Sequence, residues 1–321
     1  MQLKPLIRPS GSRVTAWGHY QPATAITNVD LIAKGLESDD EWIRSRTGII
    51  ERRIAAEGES LLDMAELAAR DVLAKSGVTT AEIDLVIFAT CTAKVPVPMG
   101  AGEIADRLDI HSPGAYDINA ACAGFVYALN AASDAVLNGH ARHVLVIGAE
   151  KFSDWLDWAD RSTAIIFADA AGAAIVSVSE SPAIGPIVWG SDGANSQAIR
   201  MDPRSRTISQ DGQTVYRWAT STMGDVALEV CKRTGVPPEE LAVFAPHQAN
   251  LRIIESVAKQ LGAVNALLAR DIVTSGNTSA ASIPLALSKL LSKHVIPRGS
   301  PMLLLGFGAG LTYAGHVVLS P

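Results

Sequence analysis

The feature that most constrains how this chain can fold is that it repeats itself. Gly77-Val78 returns as Gly235-Val236, Asn119 as Asn277, Ala128-Leu129 as Ala286-Leu287 and Gly148 as Gly306, every pair 158 positions apart. The run Val144-Leu145-Val146-Ile147-Gly148 also resembles Met302-Leu303-Leu304-Leu305-Gly306. Chance likeness between apolar segments would not hold one offset across four landmarks. Each half reads as helix, strand, strand-to-helix junction, strand. That alternation predicts an α/β fold built from βαβ units, with sheets buried under helices. The expected division is residues 1–183 and 184–321, two duplicated halves related by a pseudo-twofold. Such an axis would bring equivalent junctions together at the centre of the molecule.

The 321 residues allow about two domains or one large one, and 48% are hydrophobic, ample for a sizeable core. A formal net charge of −6 argues against a nucleic-acid-binding surface. The cysteines, Cys91, Cys122 and Cys231, lie far apart without C-x-x-C spacing, which predicts no zinc site and a reducing compartment. Met1-Gln2-Leu3-Lys4-Pro5-Leu6 has no apolar core of signal-peptide length, and no window is apolar enough to span a membrane. The expected setting is the cytoplasm.

Local patterning predicts helix starts at Asn28 and Asp39. A helix from Ser60 to Lys75 is expected, with Leu61, Met64, Leu67, Ala68 and Val72 on one side and Gly77 as its stop. A buried strand is expected over Asp84–Thr90, a loop at Pro96-Val97-Pro98 and a helix over Gly102–Leu108. Val144–Gly148 reads as a further strand, and Ile165–Val178 as two more. The arginines between Arg44 and Arg53, beside Trp42, read either as a solvated basic face or as a holder for a phosphate-bearing ligand.

Chemistry concentrates at the junctions. Strand-like Ala115–Ile118 runs into small residues, and Cys122 then opens a helix to Asn138-Gly139 that is apolar almost all round, hence central. A cysteine at a helix start can have its pKa lowered to roughly 3.5–7.5; the competing reading is a buried structural Cys. In the duplicated register Cys122 faces Ala280, in a junction that carries Asn277 instead of a thiol. His247, in Ala-Pro-His-Gln-Ala-Asn, follows the apolar run Leu241–Ala245, at a strand end where α/β proteins bind ligands. Gly306-Phe307-Gly308-Ala309-Gly310 is either a tight turn or a loop whose N–H groups line an oxyanion hole.

These motifs match a known family. Cys122 in Ala-Ala-Cys-Ala-Gly-Phe, His247 in His-Gln-Ala-Asn, and Asn277 in Gly-Asn-Thr-Ser-Ala-Ala-Ser resemble β-ketoacyl-acyl-carrier-protein synthase III. So do Asp40-Glu41-Trp42-Ile43, Arg46-Thr47-Gly48-Ile49 and the Gly306–Gly310 loop, in the expected order over nearly the whole chain. Thiolases share the fold but carry a second catalytic Cys near the C-terminus, and here none follows Cys231.

The resemblance implies the thiolase fold, five layers in the order α-β-α-β-α, as a homodimer. It implies that Cys122 takes an acyl group from an acyl-coenzyme A primer and passes it to the carbanion of malonyl-acyl-carrier protein. The products are 3-oxoacyl-acyl-carrier protein, carbon dioxide and coenzyme A. No cofactor is implied, nor a nucleic-acid or membrane partner. Neutral His247 and Asn277 would each donate to the enolate, and the N–H groups of Cys122 and Ala309 would hold the acyl-transfer oxyanion. Trp42 and Arg161 would clasp adenine, with Arg46 near the phosphates and Ser38, Gly212, Tyr216 and Asn250 along the pantetheine. Val97 and Phe307 belong to the expected substrate site, and Gln248 and Arg252 to the carrier-protein contact.

The chain departs from the family pattern at Ala168-Asp169-Ala170-Ala171-Gly172, at Ala309, and at Val97, where some relatives carry a Phe that closes the acyl pocket across the dimer. A Val there should admit primers longer than acetyl. Two readings compete with fatty-acid initiation: a starter-unit condensing enzyme or acyltransferase of polyketide or other secondary metabolism, and a non-catalytic scaffold, which the intact Cys-His-Asn set opposes.

Overall fold

The computed structural model describes residues 8–321, so the opening Met1–Leu6 stretch lies outside the described residues. The strands of the first sheet are β1 (Gly11–Tyr20), β2 (Leu85–Ala89), β3 (Gly114–Ile118), β4 (His143–Lys151) and β5 (Asp169–Ser179). Those of the second are β6 (Val188–Ser191), β7 (Val243–Pro246), β8 (Leu267–Leu268), β9 (Pro301–Gly308) and β10 (Thr312–Leu319). The principal helices are α1 (Asp40–Thr47), α2 (Leu61–Ser76), α3 (Gly124–Leu137), α4 (Gly212–Thr234), α5 (Leu251–Leu261) and α6 (Ser282–Lys293).

The first sheet runs β1-β5-β4-β2-β3 and the second β6-β10-β9-β7-β8, so strand order is duplicated element for element. In each, the three strands at the β3 or β8 edge are parallel, and the next two are antiparallel to their neighbours. Alternation along each strand then builds the layers. In β2, Val86 and Phe88 pack outward on Met64, Ala68 and Val72 of α2, while Ile87 and Ala89 pack inward with Phe125, Val126 and Leu129 of α3. In β7, Phe244 packs outward on α4 and α5, and Val243 and Ala245 face the same central core as α3 and α6. The result is α-β-α-β-α, the expected thiolase fold. Burying a large apolar side chain contributes roughly 1.5–3 kcal/mol, which favours placing α3 and α6, apolar on nearly every side, between the sheets.

The duplication extends to backbone strain. Ala121 and Ser279, 158 apart in number, sit at φ 46° and 48°, a region costly for any residue with a Cβ. Each is held there by an Asn two residues earlier: Ala121 N donates to Asn119 Oδ1 (3.1 Å) and Ser279 N to Asn277 Oδ1 (2.9 Å). The glycines at the strand centres work reciprocally. A Cβ on Gly148 would meet Ala280 O at 2.5 Å, and one on Gly306 would meet Ala123 Cα at 3.0 Å. Each half's Gly thus admits the other half's junction, as a pseudo-twofold requires.

Three local expectations fail. Ile165–Val178 yields one strand, not two: Ala164, Ile166 and Phe167 donate back to Asp160 and Thr163 in consecutive turns, and β5 begins only at Asp169. The turns are as buried as a strand, so hydropathy could not separate them. Leu67 is 42% exposed, and Ala65 and Ala69 occupy the buried face instead. Arg52 is not part of a solvated face. It is fully buried, donating to Ile26 O (3.1 Å), Asn28 Oδ1 (2.7 Å) and Ile165 O (2.9 Å), and burial pulls its pKa down to about 10.

Candidate active site

Cys122 lies in the 3-10 turn Ala121–Ala123 that feeds α3, and its thiol is buried. Burial pushes the thiol pKa up to about 11, with the Glu150 charge adding to the rise. The Ser279 hydroxyl and the N–H groups of Ala309 and Cys122 itself pull the other way. The expected lowering by the helix start is therefore overturned in the resting protein, because the helix proper begins two residues later and the sulfur is out of water.

His247 directly follows β7 and is 1% exposed; burial drops its pKa to about 3, so it is neutral at physiological pH. Its Nδ1 lies 2.7 Å from Ser282 Oγ, which also receives Gln248 N at 3.4 Å. Ser282 thus fixes the imidazole through Nδ1, and Nε2 is the ring nitrogen without a hydrogen bond among the described residues. Phe307 meets the imidazole edge-on at 5.4 Å and holds the ring. Asn277 is fixed the same way. Ser279 N can only donate, so Asn277 Oδ1 must face it, and the Nδ2 amide is left for the cavity. Two neutral donors thus come from one half of the chain and the thiol from the other.

The end of β9 and the loop after it complete the floor. A Cβ on Gly308 would sit 2.5 Å from Cys122 Cβ and 2.8 Å from Sγ, and its backbone is extended, so only the close approach demands Gly. Gly308→Ala is expected to leave the fold intact by circular dichroism but to lower the rate of Cys122 modification by an acyl thioester about 100-fold, because near-attack geometry tolerates little displacement.

These groups lie in one cavity of about 1100 Å³. It brings together Cys122, His247, Asn277, Phe307 and Ala309 at depth with Trp42, Arg46, Arg161, Gly212, Tyr216, Asn250 and Arg252. Arg161 lies over the Trp42 ring at 5.0 Å and Arg46 at 6.0 Å, while Arg252 lies over Tyr216 at 5.0 Å. Asn250 caps α5 and donates to Arg46 O (2.9 Å), tying two predicted binding segments together.

Three predicted residues do not join the cavity wall. Gln248 is 1% exposed and spends its amide on Pro246 O, Ala269 O and Ile272 N, so it cannot meet a carrier protein. Ser38 lies outside the lining. Val97 is 79% exposed on a surface loop and does not line this chain's own cavity. Sequence reasoning missed Arg200 and Arg217, which also line the cavity and with Arg46, Arg161 and Arg252 give it a strongly cationic wall in an acidic protein. Arg200 had a signal in the Arg-rich stretch 194–210, whereas Arg217 lies beyond it on α4. It also missed Glu150, Ser279 and Ser282, which are polar residues within apolar or small-residue runs.

Comparison with known proteins places the chain in a family. Residues 116–193 match the family model of 3-oxoacyl-[acyl-carrier-protein] synthase III, and residues 231–319 match its C-terminal model. The chain is 50% identical to β-ketoacyl-[acyl-carrier-protein] synthase III 4 of Streptomyces coelicolor, over 97% of this chain and 99% of that protein. Among solved structures, the priming β-ketosynthase of the R1128 polyketide biosynthetic pathway superposes with a TM-score of 0.96 at 41% identity, covering 99% of this chain and 98% of that one. The 3-oxoacyl-[acyl-carrier-protein] synthase III of Aquifex aeolicus gives 0.91 at 38% identity, covering 96% and 100%. With half of its residues identical to such a synthase over nearly its whole length, and both family models matched in order, the chain is a member of the β-ketoacyl-acyl-carrier-protein synthase III family.

Proposed function

We propose that this protein condenses an acyl-coenzyme A primer with malonyl-acyl-carrier protein by decarboxylation, giving 3-oxoacyl-acyl-carrier protein, carbon dioxide and coenzyme A, and so starts fatty-acid chains. The observation that carries the reading is that only one of the twin junctions bears a thiol, Cys122, with Ala280 at the matching position of the other, and that Asn277 and His247 line the same cavity from the second half. Cys122 attacks the primer thioester, and the N–H groups of Cys122 and Ala309 receive the oxyanion. Decarboxylation then leaves an enolate oxygen, which is stabilised by neutral donors aimed at it: His247 Nε2 and Asn277 Nδ2. Trp42 and Arg161 hold the adenine, with Arg161 swinging aside to admit the ring, and Arg46 meets the phosphates. Gly212, Tyr216 and Asn250 border the pantetheine path. No cofactor has a role in these steps.

Val97 on its exposed loop, beside exposed Val95 and Met99, supports a homodimer in which this loop meets the partner's acyl pocket. Among the described residues no helix is long and apolar enough to cross a membrane, and we place the reaction in the cytoplasm. The likeness to a priming β-ketosynthase favours a second reading, starter-unit condensation for polyketide synthesis, on the same site.

Two experiments test the proposal. Incubating the protein with a panel of acyl-coenzyme A primers and weighing the intact chain should reveal an adduct on Cys122 with primers longer than acetyl. An acetyl adduct alone would refute the pocket argument from Val97. Reversing the mouth charge with Arg252→Glu should raise KM for malonyl-acyl-carrier protein about tenfold at low salt, while a malonyl thioester lacking the carrier protein is used as before.

A further inference from the structure

Both sides of the proposed adenine clamp are tied to one buried side chain. Arg52 lies in the two-strand ribbon of Ala25–Thr27 and Glu51–Arg53 and is fully buried. Among the described residues no carboxylate pairs with it, and its Nε has no hydrogen-bond partner. A buried cation without a counter-charge is costly, and filling the core alone would not call for one. Its contribution is geometric. Nη2 gives one proton to Asn28 Oδ1 (2.7 Å) and the other to Ile165 O (2.9 Å), while Nη1 donates to Ile26 O (3.1 Å). Two protons on one planar nitrogen fix the separation of their two acceptors.

Each of those acceptors leads to one side of the clamp. Arginine can only donate, so Asn28 Oδ1 must face it. Asn28 Nδ2 then turns the other way, donating to Asp40 Oδ1 (2.8 Å) and Ile49 O (2.8 Å). Asp40 is the first residue of α1, two positions before Trp42. The far end of α1 is held separately, by Asn250 on Arg46 O. On the other side, Ile165 lies in the turns from Asp160 to Phe167 that carry Arg161. The end of those turns is fixed without Arg52, since Ile166 O accepts from Asn277 N (2.8 Å) and Ala168 N donates to Asn277 O (2.9 Å). Ile43 of α1 packs with Ala164 and Ile165 in one apolar cluster, so the two sides already touch; Arg52 sets their register.

We propose that Arg52 is a positioning residue that fixes the spacing between Trp42 and Arg161 and so sets affinity for the nucleotide of the primer. The inference rests on the adenine clamp proposed above. To hold adenine, Arg161 must leave the face of Trp42 and return across the ring while the backbones on both sides keep their distance. Nη2 holds that distance. Arg52 touches neither substrate nor reacting atoms and acts through Asn28, Asp40 and Ile165 O.

Arg52→Lys keeps the charge and replaces the planar fork with a single ammonium. Acylation of Cys122 is followed by intact mass with two primers bearing the same acyl group, one on coenzyme A and one on pantetheine, which lacks the nucleotide. With the coenzyme A primer, KM should rise about tenfold at an unchanged limiting rate, the scale of a loosened cation–π contact. With the pantetheine primer, KM and limiting rate should both match wild type. Asp40→Ala is the second variant: Asp40 is partly exposed, and its loss cuts the link to α1 while leaving the buried guanidinium in place. Its KM for the coenzyme A primer should rise about threefold, the scale of one hydrogen bond. Charge alone predicts the opposite, since removing a carboxylate favours an anionic nucleotide. Equal losses with both primers would mark a merely structural role and overturn the proposal. So would an unchanged KM in folded Arg52→Lys, or a lowered KM in Asp40→Ala. If Arg52→Lys does not fold, Asp40→Ala decides alone. A wild type that uses both primers with the same KM would instead reject the adenine clamp itself.

Discussion

Cys122→Ala is expected to abolish both the covalent adduct and the condensation product, a loss on the order of 10⁶-fold, the scale on which removing a catalytic nucleophile is felt. Without the sulfur there is no acyl-enzyme, and the route reverts to a direct encounter of enolate and primer with no covalent holder for the acyl group. The fold should survive. Cys122 is one small side chain at a junction whose backbone is fixed by Asn119 and by Gly308, not by the thiol. Intact mass after incubation with an acyl-coenzyme A primer reads the adduct directly, and product on the carrier protein reads the condensation. Full-rate condensation by the alanine variant would remove Cys122 from the mechanism.

The second large effect separates the two half-reactions. His247→Ala and Asn277→Ala should each lower decarboxylation of malonyl-acyl-carrier protein about 10²–10³-fold, the usual cost of deleting one oxyanion donor, while Cys122 still acylates. The two losses should not add in the double variant, because both donors serve one enolate oxygen. Acidifying the assay toward pH 5 should not mimic His247→Ala. Burial holds the imidazole near a pKa of about 3, so it stays neutral and keeps its donor throughout that range. Between about 3 and the ordinary histidine value the unfolded chain binds a proton that the folded chain refuses. His247 therefore makes stability fall as pH falls through that window.

Much of this was legible in the sequence because duplication leaves a register that survives divergence. One constant offset predicted paired sheets, facing junctions and a thiol in only one of the two, opposite Ala280, all without knowing any contact. Glycines made the same point, since Gly148 and Gly306 are where the opposite junction passes too close for a Cβ. What the sequence hid was environment. Cys122 at a helix start reads as an activated thiol, yet burial outweighs the helix and lifts its pKa. Arg52 reads as one more surface arginine in a basic run, but its guanidinium is the buried pin between Ile26, Asn28 and Ile165. Gln248 sits in the catalytic motif and looks available, yet it spends all its bonds on the backbone beneath. Glu150 gave no signal at all, because a lone carboxylate ending an apolar strand looks like the strand's solvent end. Its partners come from two distant segments, Thr90–Thr92 and Ser279, that only the fold assembles.

On the proposed function, one repeat supplies the nucleophile and the other supplies the enolate donors. The most direct measurement loads Asn277→Ala with primer, verifies the Cys122 adduct by intact mass, and then follows labelled carbon dioxide from malonyl-acyl-carrier protein. A full adduct is expected, with carbon dioxide release reduced at least about 100-fold. A variant that fails to acylate, or that acylates and decarboxylates at the wild-type rate, would contradict it.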